Sequence, residues 1–227
     1  MIDHLRDIAS VREATDRLLT AAASWDNATV TGPSRLPGWT RGHVLTHLSR
    51  NADALVNVLQ GLPMYKDAES RDADIEHGAG RPLDAQLADL RATADRFEEV
   101  CREPADWERT VELRNGVTDR AARVPFRRWV EVALHHVDLG VGYELEDLPD
   151  EFTEREIVFL ADRWSGLESV PATVLRSDDG RSWRTGGDAG GVTVTGPAPE
   201  LLGWLAGRRD GAGLSTEGGP LPQLPPL

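Results

Sequence analysis

Apolar residues recur at helical spacing through the first ~145 positions, the 3.6-residue period that marks an amphipathic helix. Residues 2–25 carry Leu5, Ile8, Ala9, Val11, Leu18, Leu19 and Ala22 on one stripe. A loop with Pro33, Pro37 and Gly38 follows. A second helix is expected from an N-cap at Thr40 to Leu59 or Gln60, with Val44, Leu45, Leu48, Ala52, Leu55 and Leu59 inward and Gly61 and Pro63 ending it. Residues 63–82 are charged and glycine-containing and read as a long loop, a candidate lid or substrate loop. A third helix spans 83–101, with Leu87, Leu90, Ala94 and Phe97 inward. A fourth follows Pro125 to about residue 143, its core positions Val130, Ala133, Leu134, Val137 and Val141. Four such helices predict a bundle, in which sites form from facing side chains.

Beyond Pro149 the period changes. A short helix at 153–164 leads into alternating segments at 172–176 and 181–185, joined by the turn Asp178-Asp179-Gly180. Residues 192–194 read as a further strand and 199–206 as a short amphipathic helix. Gly186-Gly187 and Gly190-Gly191 read as turns, and the ending EGGPLPQLPPL as a proline-rich tail. The expected architecture is therefore α+β: a helical bundle over 1–148 and a small α/β domain over 149–227.

Composition narrows the chemistry. The chain has 227 residues and a formal charge of −13, so nucleic acid and anionic membrane are poor partners for it. No apolar run approaches the ~20 residues of a membrane span. The opening MIDHLRDIASVREATDRL lacks the apolar core of a secretory signal, and Cys101 is the only cysteine, which together suggest a cytoplasmic protein without disulfides. Cys101 follows Glu98-Glu99, a setting that disfavours a thiolate. No nucleophile elbow, phosphate loop or dinucleotide fingerprint occurs.

Four of the six histidines lie in two short stretches. His43 and His47, and Glu131 and His135, are spaced i, i+4, so each pair shares one helical face. On the fourth helix, Glu131, His135 and Asp138 cluster beside the core direction and His136 points away. A carboxylate beside an apolar core is costly unless paired or metal-bound. Glu131 has two readings at this level: an ion pair with Arg127 or Arg128, or a ligand in a divalent metal site shared with the second helix. With a single cysteine, such a site must use histidine and carboxylate. His4 and His77 read as surface residues.

Three stretches, SRLPGWTRGHVLTHLSRNADAL (34–55), PMYKDAESRDADIEHGAGR (63–81) and RRWVEVALHHVDLG (127–140), together with GWLAGRRDGAGL (203–214), resemble the mycothiol-dependent maleylpyruvate isomerase family. That resemblance implies a DinB-like four-helix bundle followed by a small α/β domain similar to sterol-carrier folds. It implies zinc held by His47, Glu131 and His135, with His43 near the site and Asp138 bonding an imidazole N–H. It further implies that Arg208 reaches the active site as a catalytic cation, and that Arg71 and Arg81 bind substrate carboxylates. The implied reaction uses mycothiol as a thiol cosubstrate: a zinc-bound thiolate adds to the cis double bond of maleylpyruvate, the bond rotates, and the thiolate leaves to give fumarylpyruvate. A mycothiol S-transferase, or a metal-binding module without catalysis, is compatible with the same residues. The expected partners are small molecules, in a monomer or small homo-oligomer.

Overall fold

The computed structural model describes residues 2–187 and 191–225. The chain divides into two compact units, Met1–Gly142 and Tyr143–Leu227.

In the first unit, helix α1 (His4–Ala22) begins where the Asp3 carboxylate accepts from the Arg6 amide. The single turn α2 (Asn27–Thr31) is capped in the same way by Asp26. Helix α3 (Arg41–Leu59) opens with a reciprocal cap: the Thr40 hydroxyl accepts from the His43 amide, and the His43 ring accepts from the Thr40 amide at 3.1 Å. Helix α4 (Ala68–Ala79) is capped by Asp67, and α5 (Leu83–Arg102) follows Pro82. A hairpin, β1 (Thr110–Glu112) and β2 (Thr118–Arg120), turns through Asn115 and Gly116, both at positive φ. Helix α6 (Val124–Asp138) carries Pro125 in its first turn, where a missing N–H has no intrahelical partner to lose.

The four long helices form the bundle. α3 packs against α5 and α6, and α1 against α6 and α5. Leu18, Leu45, Leu48, Leu90 and Phe97 are fully buried between them. This places His47 of α3 and the Glu131–His135 face of α6 on adjoining helices.

Three expectations change. Residues 63–82 are not one loop: α4 occupies most of them and packs along α3. Ile75 is its only large buried apolar side chain, so the stretch shows almost no helical period. Close approach of small residues replaces that signal, and a Cβ added at Gly42 would lie 2.1 Å from the Ala79 carbonyl oxygen. The last bundle helix stops at Asp138 rather than near 143, because Gly140 and Gly142 both take left-handed φ. Leu5, expected inward, is 69% exposed on the first turn of α1.

In the second unit, α7 (Asp150–Trp164) starts directly after Pro149, three residues before its expected start. A four-stranded sheet has the order β4-β3-β5-β6. Strand β3 (Thr173–Ser177) pairs antiparallel with β4 (Ser182–Thr185) across the Asp178-Asp179-Gly180 turn, and parallel with β5 (Val192–Gly196). Helix α8 (Ala198–Leu205) packs on α7 and on the sheet. Strand β6 (Ser215–Glu217), which the sequence pattern does not announce, pairs antiparallel with β5. Leu175, Val194, Leu201, Leu202 and Ile157 form the core. Gly190, half of one expected turn, lies outside the described residues. Among the described residues no helix is long and apolar enough to cross a membrane.

Candidate metal centre

His47 sits on the second turn of α3, facing the middle of α6. Its Nε2 lies 2.9 Å from Glu131 Oε2, and His135 Nε2 lies 3.3 Å from the same oxygen. The two imidazoles meet edge to face with ring centroids 4.7 Å apart. One ligand atom from each of the three residues falls within a 4.8 Å cluster. Tetrahedral ligands at zinc bond lengths stand about 3.4 Å apart. Two nitrogens and one oxygen at this separation suit a divalent cation of zinc's size and ligand preference.

Electrostatics favour the same reading. Burial alone would raise the Glu131 carboxyl, but hydrogen bonds from His135 and His47 overcome it and hold Glu131 well below the ordinary carboxylate value. Burial lowers His47, and the Glu131 contact does not fully offset it, so this ring is biased to the neutral form that a metal requires. For His135 burial also opposes charge, yet Asp138 and Glu131 raise it above its usual value. The Asp138 carboxylate, nearly fully buried, lies 2.8 Å from His135 Nδ1. An Nδ1–H donated to Asp138 leaves the Nε2 lone pair directed at the cluster.

The ion-pair alternative for Glu131 finds no support in the geometry. Arg127 pairs with Asp119 at 2.7 Å, while buried Arg128 donates to the Leu48 carbonyl and to Asn51, each at 2.8 Å. Of the other expected residues, His43 serves the α3 cap and reaches Glu76 at 3.1 Å through Nε2. His136 is buried and outside the trio; exposed His77 and half-buried His4, which stacks on Trp107, are also outside it. Arg71 is brought to the centre: its Nη2 lies 3.3 Å from His47 Nδ1. Arg81 is engaged by Asp89 at 2.6 Å and by the Gly78 carbonyl. Arg208 lies in the second unit just past α8, with Nη1 donating to the Ala206 carbonyl.

Two neighbours carry no sequence signal of their own. Trp39 packs on His47 with centroids 5.5 Å apart, and Tyr65 lies under the Arg71 guanidinium at 5.8 Å. Seven tryptophans scattered through the sequence do not distinguish Trp39. Its place beside Gly38, which takes a left-handed φ, could have drawn notice.

Fold and site together define a helical-bundle protein with a His/Glu/His centre on facing helices and an appended α/β unit. The chain belongs to the mycothiol maleylpyruvate isomerase family. The "Mycothiol maleylpyruvate isomerase N-terminal domain" matches residues 11–140, and the "MDMPI C-terminal domain" matches residues 147–226. The crystal structure of the mycothiol-dependent maleylpyruvate isomerase is similar at 25% identity, covering 99% of this chain and 97% of that one, with a TM-score of 0.89. A histidine-to-alanine mutant of that isomerase aligns at 24% identity, with the same coverages and a TM-score of 0.88. No curated protein matches the sequence significantly.

Proposed function

We propose that this chain is a zinc-dependent, mycothiol-using enzyme that isomerises maleylpyruvate to fumarylpyruvate. The observation that carries the reading is the convergence of His47, Glu131 and His135 within 4.8 Å in a chain of this family. These three residues would hold the metal. A divalent metal there supplies Lewis acidity that lowers the pKa of a thiol presented to it.

The side chains set the rest of the chemistry. Glu131 stays ionised and contributes the negative charge that balances a cation. Asp138 fixes the His135 ring and its tautomer. Addition of the thiol to the cis double bond forms a C–S bond and moves the π electrons toward the adjacent carbonyl. The former double bond is then free to rotate, and loss of the thiol restores it as trans. Arg71, beside His47, can hold a substrate carboxylate and stabilise the developing enolate. Arg81 and Arg208 are proposed for the same class of contact, Arg208 as the catalytic cation.

The purified chain should contain about one zinc, as a three-ligand catalytic site would. His47→Ala and Glu131→Ala should each lose it, and metal retained by both variants would sink the assignment. Incubation with mycothiol and maleylpyruvate, followed by ultraviolet absorbance, tests the reaction. Conjugation of a bimane electrophile without turnover of maleylpyruvate would make the chain an S-transferase instead.

A further inference from the structure

Next to the trio, and wholly within the first unit, a cavity of about 580 Å³ lies between residues 58–68 and the β1–β2 hairpin. Tyr65 forms part of its wall, the Arg71 guanidinium lies over the Tyr65 ring, and Arg71 contacts His47. Burial raises the Tyr65 phenol, which therefore stays protonated as a donor and acceptor, and the charges of Arg71, Glu131 and Arg114 all act on it. The cavity thus adjoins the centre without containing any of its three ligands.

Some charges of the first unit are paired, as Arg50 and Arg81 are with Asp89, and on the hairpin Asp119 pairs with Arg127 and Arg120 with Glu108. Two charged side chains that line the cavity are not. The exposed side chains of Arg114 and Glu112 make no hydrogen bond or ion pair among the described residues. Arg109 donates through Nη2 to the Leu59 carbonyl, while its Nη1 is buried without a partner. Donors and acceptors therefore both line this one space, together with the apolar Leu62, Met64 and Val111. A small dicarboxylate fits this poorly, because the two arginines are offset by Asp67 and Glu112 and most of the volume would stay empty. A ligand rich in hydroxyls fits well. Each hydroxyl both donates and accepts, and the C–H faces of a sugar rest on apolar side chains.

We propose that this cavity seats the sugar and polyol portion of the thiol cosubstrate, mycothiol being a cysteine thiol carried on an amino sugar joined to a cyclic polyol. Arg114 and Glu112 are the specificity-determining contacts, and Tyr65 marks the passage from the cavity to the metal centre. The inference rests on the mycothiol-dependent reading above.

Two probes separate the claims. The first is glucosaminyl-inositol, the thiol-free part of the cosubstrate, titrated into the full metal-free chain by NMR. Amides of residues 61–68 and 109–116 should shift, and saturation should be lost in the double variant Glu112→Ala/Arg114→Ala. Shifts confined to other regions, or equal saturation of the double variant, would overturn the proposal. The second probe is mycothiol itself, bound to the zinc-loaded chain by calorimetry. Losing two polar contacts should raise its Kd about tenfold or more in the double variant, and an unchanged Kd again overturns the assignment. Failure of the wild-type chain to bind mycothiol, with the fragment still bound at the hairpin, would refute the functional reading and leave a polyol site.

Discussion

At the residue scale, the centre depends on how one buried carboxylate orients an imidazole. Asp138 raises His135 and holds its Nδ1, so Asp138→Asn should lower the His135 pKa toward or below the ordinary 6.5. The sign follows from the shift: a histidine raised in the folded state stabilises the fold fully below pH 6.5 and loses that contribution as pH rises through its folded value. The metal-free variant should therefore lose stability relative to wild type at pH 6 and differ less at pH 9, measured by denaturant midpoint with NMR titration of the ring. Metal affinity should fall about 10- to 100-fold in the same variant, the usual effect of removing a hydrogen-bond partner from a ligating histidine. Unchanged affinity in a chelator competition would remove Asp138 from the site. Cys101 makes the opposite case. Burial, reinforced by Glu98, pushes its thiol up to about 12, so iodoacetamide at pH 8 should leave it unmodified until the chain is unfolded. Mass spectrometry of native and denatured protein checks this.

At the element scale, α3 is the pivot of the first unit. It carries His47, and its other faces meet α5, α6 and α4. Its contact with α4 relies on the absence of side chains: a Cβ at Gly42 would meet the Ala79 carbonyl, and one at Gly78 would meet Thr46 at 2.5 Å. Gly42→Ala should therefore cost about 1–3 kcal/mol, as overpacking does, read as a lowered denaturation midpoint. A neutral effect would mean that α4 moves aside freely. Because α4 carries Arg71, a displaced α4 should also draw the Arg71 guanidinium off His47, detectable as a changed ring tautomer in the metal-free protein. The buried Gln86 amide, which donates to the Gly42, Gly78 and Ala79 carbonyls, ties α3, α4 and α5 at this same point.

At the scale of the whole molecule, the three proposed ligands and the polyol cavity all belong to the first unit, while Arg208 belongs to the second. A fragment of residues 1–142 should therefore bind one divalent ion with affinity within a few-fold of the full chain, yet fail to turn over maleylpyruvate if Arg208 acts on the substrate. Metal binding more than about tenfold weaker, some 1.4 kcal/mol, would show that the second unit supports the centre. Turnover by the fragment would relieve Arg208 of its role.

The sequence by itself determined the bundle helices, the sheet-bearing second half and the pairing of Glu131 with His135. Each rests on local periodicity or on i, i+4 spacing, which a short stretch of chain dictates on its own. Family resemblance selected His47 over His43. The structure supplies the physical counterpart: the His43 ring is committed to its own helix cap, whereas the His47 ring points across to α6. Tertiary structure alone decided the rest. α4 is helical although it has almost no apolar stripe, because Gly42 and Gly78 let it press against α3. Arg71 reaches His47 while Arg81 is taken by Asp89, a choice between two similar loop arginines that only packing makes. Trp39 and Tyr65 lie in the connections before α3 and α4, where no helical period fixes a side chain's direction, and the hairpin meets residues 58–68 from far along the chain.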